Sequence, residues 1–375
     1  MLVIKSSFLS KALVLIPVFL FSISCTESDE EPMPVTDDFD RELMLINWVD
    51  NIIIPSYKNY VLKLEGFRSK ALTFSQSPEA SGLTELRMAW LDAYIAWQRV
   101  SMFEIGKAEA ITIRNFTNIF PTDVSGIESS IDDGNYNLEL PSKNDEQGFP
   151  ALDYLINGSG VDDYAIVKTF ANNDAYGKYV NDVLDRMYGM ATAVVTDWEG
   201  GYKTSFVNNS GSSGTSSVDK VINDYLFYYE KYLRAGKIGI PAGVFSSSPI
   251  PGSAEAIYHK GASKKLFLAG LEAVQDFFNG KAFDSSSTAN SLKAYLEYLE
   301  TQKDGQDLTE LINNQFNSAR TFAEGLDDDF STQVSTDNIK MLTTYDQLQK
   351  VVVLLKVDML QALNVQVDFV DADGD

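Results

Sequence analysis

The sequence predicts an all-α protein made of two packed helical bundles, and three observations carry that expectation. Apolar residues recur every three or four positions: Leu83, Leu86, Trp90, Ala93, Trp97 and Val100 trace one stripe, and Leu348, Val351, Val352, Leu355, Met359 and Leu363 another. Alternation at period two is absent except over residues 365–370, the one candidate strand. The run Asn208-Asn209-Ser210-Gly211-Ser212-Ser213-Gly214-Thr215-Ser216-Ser217 is too polar and glycine-rich to pack, and it divides the roughly 340 residues after the N-terminal lead into halves of ordinary domain size. The expected organisation is therefore a lead over 1–38, a bundle over 39–207, a linker over 208–217 and a second bundle over 218–375.

The lead reads as an export signal. Lys5 and Lys11 precede an apolar run over 12–23 that is too short to span a bilayer, and Cys25, the only cysteine, follows directly. In bacteria such a cysteine takes a diacylglycerol after the signal is cut before it, which predicts a signal peptide over 1–24 and a membrane anchor at Cys25. Ser22 stands where lipoprotein signals prefer leucine, so an ordinary secretory signal is the alternative. With one thiol, a disulfide within the chain is impossible. In the tether over 25–38, Cys25 is followed by Thr26-Glu27-Ser28-Asp29-Glu30-Glu31-Pro32, an acidic stretch without apolar residues until Met33. That stretch is similar to the acidic export tag of surface lipoproteins in Bacteroidetes-type bacteria; a plain solvated spacer is the other reading. The expected location is the bacterial outer membrane, lipid-anchored, facing the cell surface or the periplasm.

Helical spacing then continues over 40–64, 178–198, 263–278, 291–299 and 309–324, and Tyr225, Tyr228, Tyr229 and Tyr232 share one stripe. Trp90 and Trp97, seven residues apart on one face, are expected in the core, and Glu104 continues that face as a carboxylate placed for a cleft.

The formal charge is −23, and loss of residues 1–24 with Lys5 and Lys11 but no acid moves it to −25. Nucleic acid and anionic lipid surfaces need clustered Lys and Arg, so neither is an expected partner; cations suit such a surface better. His259 is the single histidine, expected in a surface or loop position. The sequence has no His-Glu-x-x-His pair, no cysteine pair, no phosphate-binding loop and no Gly-x-Ser-x-Gly elbow, so zinc hydrolysis, thiolate metal binding, nucleotide binding and serine hydrolysis lack their usual residues. The closing Asp371-Ala372-Asp373-Gly374-Asp375 has its glycine one step too early for a calcium loop.

Six blocks in order carry a family resemblance. They are Leu86, Trp90 and Trp97-Gln98-Arg99; Phe120-Pro121-Thr122-Asp123; Gly148-Phe149-Pro150-Ala151-Leu152-Asp153-Tyr154; Lys237-Ile238-Gly239-Ile240-Pro241-Ala242-Gly243; Glu255-Ala256-Ile257-Tyr258; and Leu355-Lys356-Val357-Asp358-Met359 with the acidic end. The sequence resembles the imelysin-like family of bacterial envelope proteins. The resemblance implies two helical-bundle domains with a functional cleft where they meet. It also implies one of two chemistries: a metallopeptidase, or a component of iron uptake.

The peptidase reading rests on a Gly-x-His-x-x-Glu pattern whose imidazole and carboxylate share a helical face. Here Pro150 stands for the histidine and Asp153 for the glutamate, a variant found in a subset of the family. A purely structural reading has Gly148 and Pro150 starting a helix with Asp153 near its positive end. The expected function is a non-catalytic binding component linked to iron or haem-related uptake, working with envelope uptake or partner proteins. The alternatives are a divergent metallopeptidase and a surface protein that binds a peptide or protein. Iron is the one cofactor implied, with Asp153, Glu104 and Tyr258 as metal ligands and Tyr154 as a further oxygen donor. The expected cleft comprises Trp97, Glu104, Gly148, Pro150, Asp153, Tyr154, Lys237, Gly239, Pro241 and Tyr258, each with packing or turn formation as its alternative role.

Overall fold

Helix α1 (Arg41–Asn47) starts where the Asp40 carboxylate accepts from the Leu43 amide at 2.9 Å, a side-chain cap on an orphan donor. In this computed structural model, which describes residues 37–369, α1 runs on through the wider i→i+5 turns of Trp48–Ile53 into α2 (Ile54–Gln76). Pro55 explains the widening. Its ring has no N–H for the Asn51 carbonyl and would collide with it, and that carbonyl instead accepts from the Phe283 amide at 2.7 Å. Helix α2 passes the expected end at Leu64 because Phe67, Ala71 and Phe74 extend the buried stripe, while Gly66 has open space beside it.

Helices α3 (Ala80–Gln98), α4 (Val124–Asp133), α5 (Gly148–Asp153) and α6 (Asp174–Asp197) follow in the first half among further helices, and α2 packs along both α3 and α6. In the second half, α7 (Ser217–Phe227) continues as the wide turns of Tyr228–Gly239, against which α8 (Ser263–Phe278) and α10 (Asn338–Val352) pack, while α9 (Leu308–Glu324) packs on α8 and α10. The polar loop runs one residue short of its expected limits at each end, since Asn208 closes one helix and Ser217 opens α7, whose cap is Ser216 accepting from the Asp219 amide at 3.1 Å.

The described residues from Phe39 onward form one compact unit with a continuous core. Helix α8 packs on α3, Asn47 Nδ2 donates to the Asn290 carbonyl at 3.0 Å, and the Phe39 ring lies parallel to Tyr295 at 4.3 Å. The two halves thus share apolar surface directly.

Two local differences from expectation have plain causes. Residues 365–369 form no strand, because the Asn223 side chain takes the backbone groups a neighbouring strand would need, donating to the Gln366 carbonyl at 3.0 Å and accepting from the Asp368 amide at 3.1 Å. A small hairpin pairs Gln302–Lys303 with Gln306–Asp307 through Asp304 and Gly305, both at positive φ, the backbone an Asp-Gly hairpin turn adopts. The signal peptide over 1–24, Cys25, the tether up to residue 36 and the acidic end over 371–375 lie outside the described residues.

Candidate functional site

Gly148 opens α5 at a φ of 78°, where a Cβ would stand 2.2 Å from the Thr117 carbonyl oxygen, so only glycine fits. Pro150 follows in the first turn, where its missing N–H costs nothing. The turn presses Phe149 parallel to Tyr94 at 4.3 Å, and the Phe149 carbonyl accepts from Trp90 Nε1 at 3.1 Å. Asp153 ends the helix, 1% exposed. Its Oδ1 accepts from Asn157 Nδ2 at 2.9 Å, and its Oδ2 accepts from the Tyr258 amide, in the other half of the molecule, at 3.0 Å. Burial pushes the carboxyl up to about 7, against the pull of these donors, the His259 amide and the Arg87 charge.

The segment Glu255-Ala256-Ile257-Tyr258-His259 faces this turn. The Glu255 carboxylate accepts from Tyr94 Oη at 2.8 Å and Asn118 Nδ2 at 2.9 Å, both in the first half, and pairs with Lys237. Lys237 and Glu255 are 2% and 1% exposed, so neither charge meets water. Burial drives the Lys237 ammonium downward while Glu255 opposes it. His259 does lie in a loop, but not on open surface: it is half-buried, its ring is stacked on Trp90 at 5.2 Å, and its Nδ1 is buried without a partner. Burial, then Arg87 and Lys265, hold its pKa below the usual value.

Between the halves lie a pocket of about 200 Å³, lined by Glu104, Glu109, Asn223, Asp224 and Phe227, and a closed cavity of about 20 Å³, lined by Trp97, Gln98, Arg114, Asn118, Tyr228 and Lys237. That is room for about one water. Gln98 Oε1 and Tyr228 Oη are buried without partners. The expected cleft is therefore nearly closed around Trp97 and Lys237, where aromatic rings and ion pairs fill it, and stays open beside Glu104.

The sequence profile named Peptidase M75: Imelysin matches residues 53–356, most of the chain. This chain belongs to the imelysin family. A solved imelysin-like protein from Psychrobacter arcticum 273-4 superposes with a TM-score of 0.68 at 16% identity, over 89% of this chain and 100% of that one. A structure described as an iron-regulated protein A precursor from Parabacteroides distasonis gives 0.68 at 17% identity, over 85% and 95%. At such identities the likeness concerns the fold. Iron-regulated protein A of Synechococcus elongatus is 25% identical over 83 residues, 22% of this chain and 23% of that protein's length.

In this imelysin-family chain the expected site residues separate into distinct places. Asp153 and Tyr258 meet through the backbone, and Trp97 and Lys237 line the small cavity. Glu104 joins a different cluster: it pairs with Arg114 at 3.2 Å, accepts from the Arg114 amide at 2.9 Å, and its own amide donates to Asp224, which also pairs with Arg114. The helical stripe aimed Glu104 towards a buried place, and Arg114, 2% exposed, supplies the partner such a carboxylate requires. Gly239 packs under Tyr345 and Phe245, and the Pro241 carbonyl accepts from the Ile250 amide at 2.9 Å, so that segment forms a turn against α10. Among the described residues no group of three His, Cys, Asp or Glu side chains is placed to hold a metal, so the expected set of Asp153, Glu104 and Tyr258 is not assembled.

Tyr154, next in the chain to Asp153, leads to two residues the sequence reading passed over. Its hydroxyl donates to Glu128 Oε1 at 2.5 Å, and the Tyr176 hydroxyl donates to the other oxygen of the same carboxylate. Tyr258 stands edge-on to Tyr154 at 5.3 Å, where the bare Gly158 makes room: a Cβ there would lie 2.3 Å from the Tyr258 ring. Burial first, and then the Glu128 carboxylate, hold both phenols above their usual range.

Proposed function

We propose that this imelysin-family chain is a non-catalytic binding component of the bacterial envelope, held on a membrane by lipid at Cys25 and serving iron acquisition. The observation that carries the non-catalytic reading is the fate of the motif. Pro150 offers no ligand, and both oxygens of Asp153 accept from fixed donors, so the position binds one half of the protein to the other. A hydrolytic metal centre needs an open coordination position that water and substrate can reach, and Asp153 is closed off by burial and held by those donors.

Iron enters through two relatives whose names carry iron regulation and through the hard oxygen donors of this chain. A strongly acidic surface favours the approach of cations. No helix among the described residues is long and apolar enough to cross a membrane.

The test is calorimetric titration of the mature protein in detergent with ferric citrate, ferrous iron and zinc, beside an assay of peptide turnover. Saturable binding of about one iron per chain without turnover is the expected result. Peptide cleavage abolished by a chelator would replace the proposal with the peptidase reading. The anchor is tested by Cys25→Ser, which should move the protein from the membrane fraction to the soluble fraction.

A further inference from the structure

Among the carboxylates in or beside the core, most have a cation beside them: Glu104 has Arg114, Glu146 has Lys143, Glu255 has Lys237 and Asp276 has Arg99 and Lys281. Glu128 differs. No lysine or arginine pairs with it among the described residues, and it is held by two phenols, Tyr154 and Tyr176. Asp132 follows one turn along α4 and acts on Tyr176 through its charge. Glu128 and Tyr176 are half-buried, so the group is reachable from solvent.

We infer that Tyr154, Tyr176 and Glu128 form a binding site for ferric iron. This rests on the iron reading above and specifies where the metal sits. The donors come from three separate elements: Tyr154 from the turn after α5, Tyr176 from the first turns of α6, and Glu128 from the middle of α4. Each phenol oxygen already stands at hydrogen-bond distance from one oxygen of the Glu128 carboxylate. That is close to the roughly 2.8 Å edge of an octahedron with metal–oxygen bonds of about 2 Å. Phenolate and carboxylate are hard donors suited to a hard trivalent cation. Zinc prefers nitrogen and sulfur, and calcium and magnesium do not draw protons from phenols.

Loading balances as an exchange of one Fe³⁺ for two protons. Both phenolic O–H bonds break, the protons leave to solvent, and iron bonds to two phenolates and the Glu128 carboxylate. Three negative donors then match three positive charges, and water or a carrier anion completes the coordination. No change of oxidation state is involved. Asp153 takes no part, because its lone pairs serve the joint between the halves.

The mature protein in detergent is titrated with ferric nitrilotriacetate and followed by visible absorption, where phenolate-to-iron charge transfer gives a band that carboxylate-only iron lacks. One iron per chain with such a band is expected. Tyr154→Phe/Tyr176→Phe should abolish the band and weaken binding at least tenfold, Glu128→Gln should weaken binding, and Tyr164→Phe, at an exposed tyrosine, should leave both unchanged. If the double variant loses helicity by circular dichroism, Tyr176→Phe alone decides: a diminished or shifted band supports the site, and an unchanged band overturns it. Iron bound without the band, or bound equally well by a folded double variant, overturns this site and leaves the iron reading standing. No iron bound at all overturns both.

Discussion

Asp153 and Tyr154 are neighbours in the chain and serve opposite ends. Asp153 points into a dry joint where every oxygen is taken: its own by Asn157 and the Tyr258 amide, and those of Glu255 by Tyr94, Asn118 and Lys237. Tyr154 leads to a half-open group in which two phenols share one carboxylate that no lysine or arginine among the described residues pairs with. Burial alone therefore does not mark a functional site. A buried polar group with fixed partners holds the fold, whereas donors with uncompensated charge and access to solvent remain available to a ligand.

The largest loss of stability is expected at the Lys237–Glu255 pair. Removing one member, as in Glu255→Ala or Lys237→Ala, strands a buried charge and is expected to cost about 3–5 kcal/mol in urea unfolding. The double variant Lys237→Met/Glu255→Gln should recover a large part of that loss. A single variant within about 1 kcal/mol of the wild type would show that water reaches the joint.

Asp153 gives the next largest effect, and it depends on pH. Its folded value of about 7 lies above the roughly 3.9 of an unfolded aspartate, so between these limits the folded state keeps a proton that the unfolded state has released. The stability it contributes is complete below about pH 4 and is lost as pH rises through 7, on the order of 2–4 kcal/mol. Asp153→Asn, neutral at every pH, should remove that part of the decline when unfolding is followed from pH 4 to 8. A variant curve parallel to the wild type would mean that Asp153 ionises freely. Gly148→Ala tests the same joint sterically: a positive φ and a methyl against the Thr117 carbonyl should cost about 1–3 kcal/mol of stability.

The sequence made the helices and the joint partly legible. Stripes such as Leu83 to Val100 imposed a helix because their spacing fits only that geometry, and the Gly148-Phe149-Pro150 turn carried its own backbone requirement. Glu104 misled because a carboxylate on an apolar stripe signals burial without naming its partner, and Arg114 is ten residues further on, beyond a loop. Glu128 and Tyr176 were illegible for a related reason. Each looks like an ordinary helix residue, and only the packing of α4 on α6 beside the turn after α5 puts their oxygens together. Local rules read caps and stripes; contacts between elements distant in sequence need the fold.

The smallest stability effect is expected at the proposed iron site, and its smallness sharpens the contrast. Tyr176→Phe removes a hydroxyl from a half-exposed ring that keeps its packing against Phe170 at 5.7 Å, and water can replace the lost donor at Glu128. The expected cost in urea unfolding is about 0–1 kcal/mol. Iron binding should fall in the same variant. Residues of the joint should show the reverse, a large loss of stability on substitution, because their partners are other parts of the same chain. Residues kept for a ligand contribute little to the fold until the ligand arrives, and metal then stabilises the protein in proportion to its occupancy. Thermal melting with and without ferric nitrilotriacetate reads both halves of that statement: the wild type should melt higher with iron, and Tyr176→Phe should match it without iron and lose most of the upward shift with it. A shift of equal size in both proteins would place the metal elsewhere.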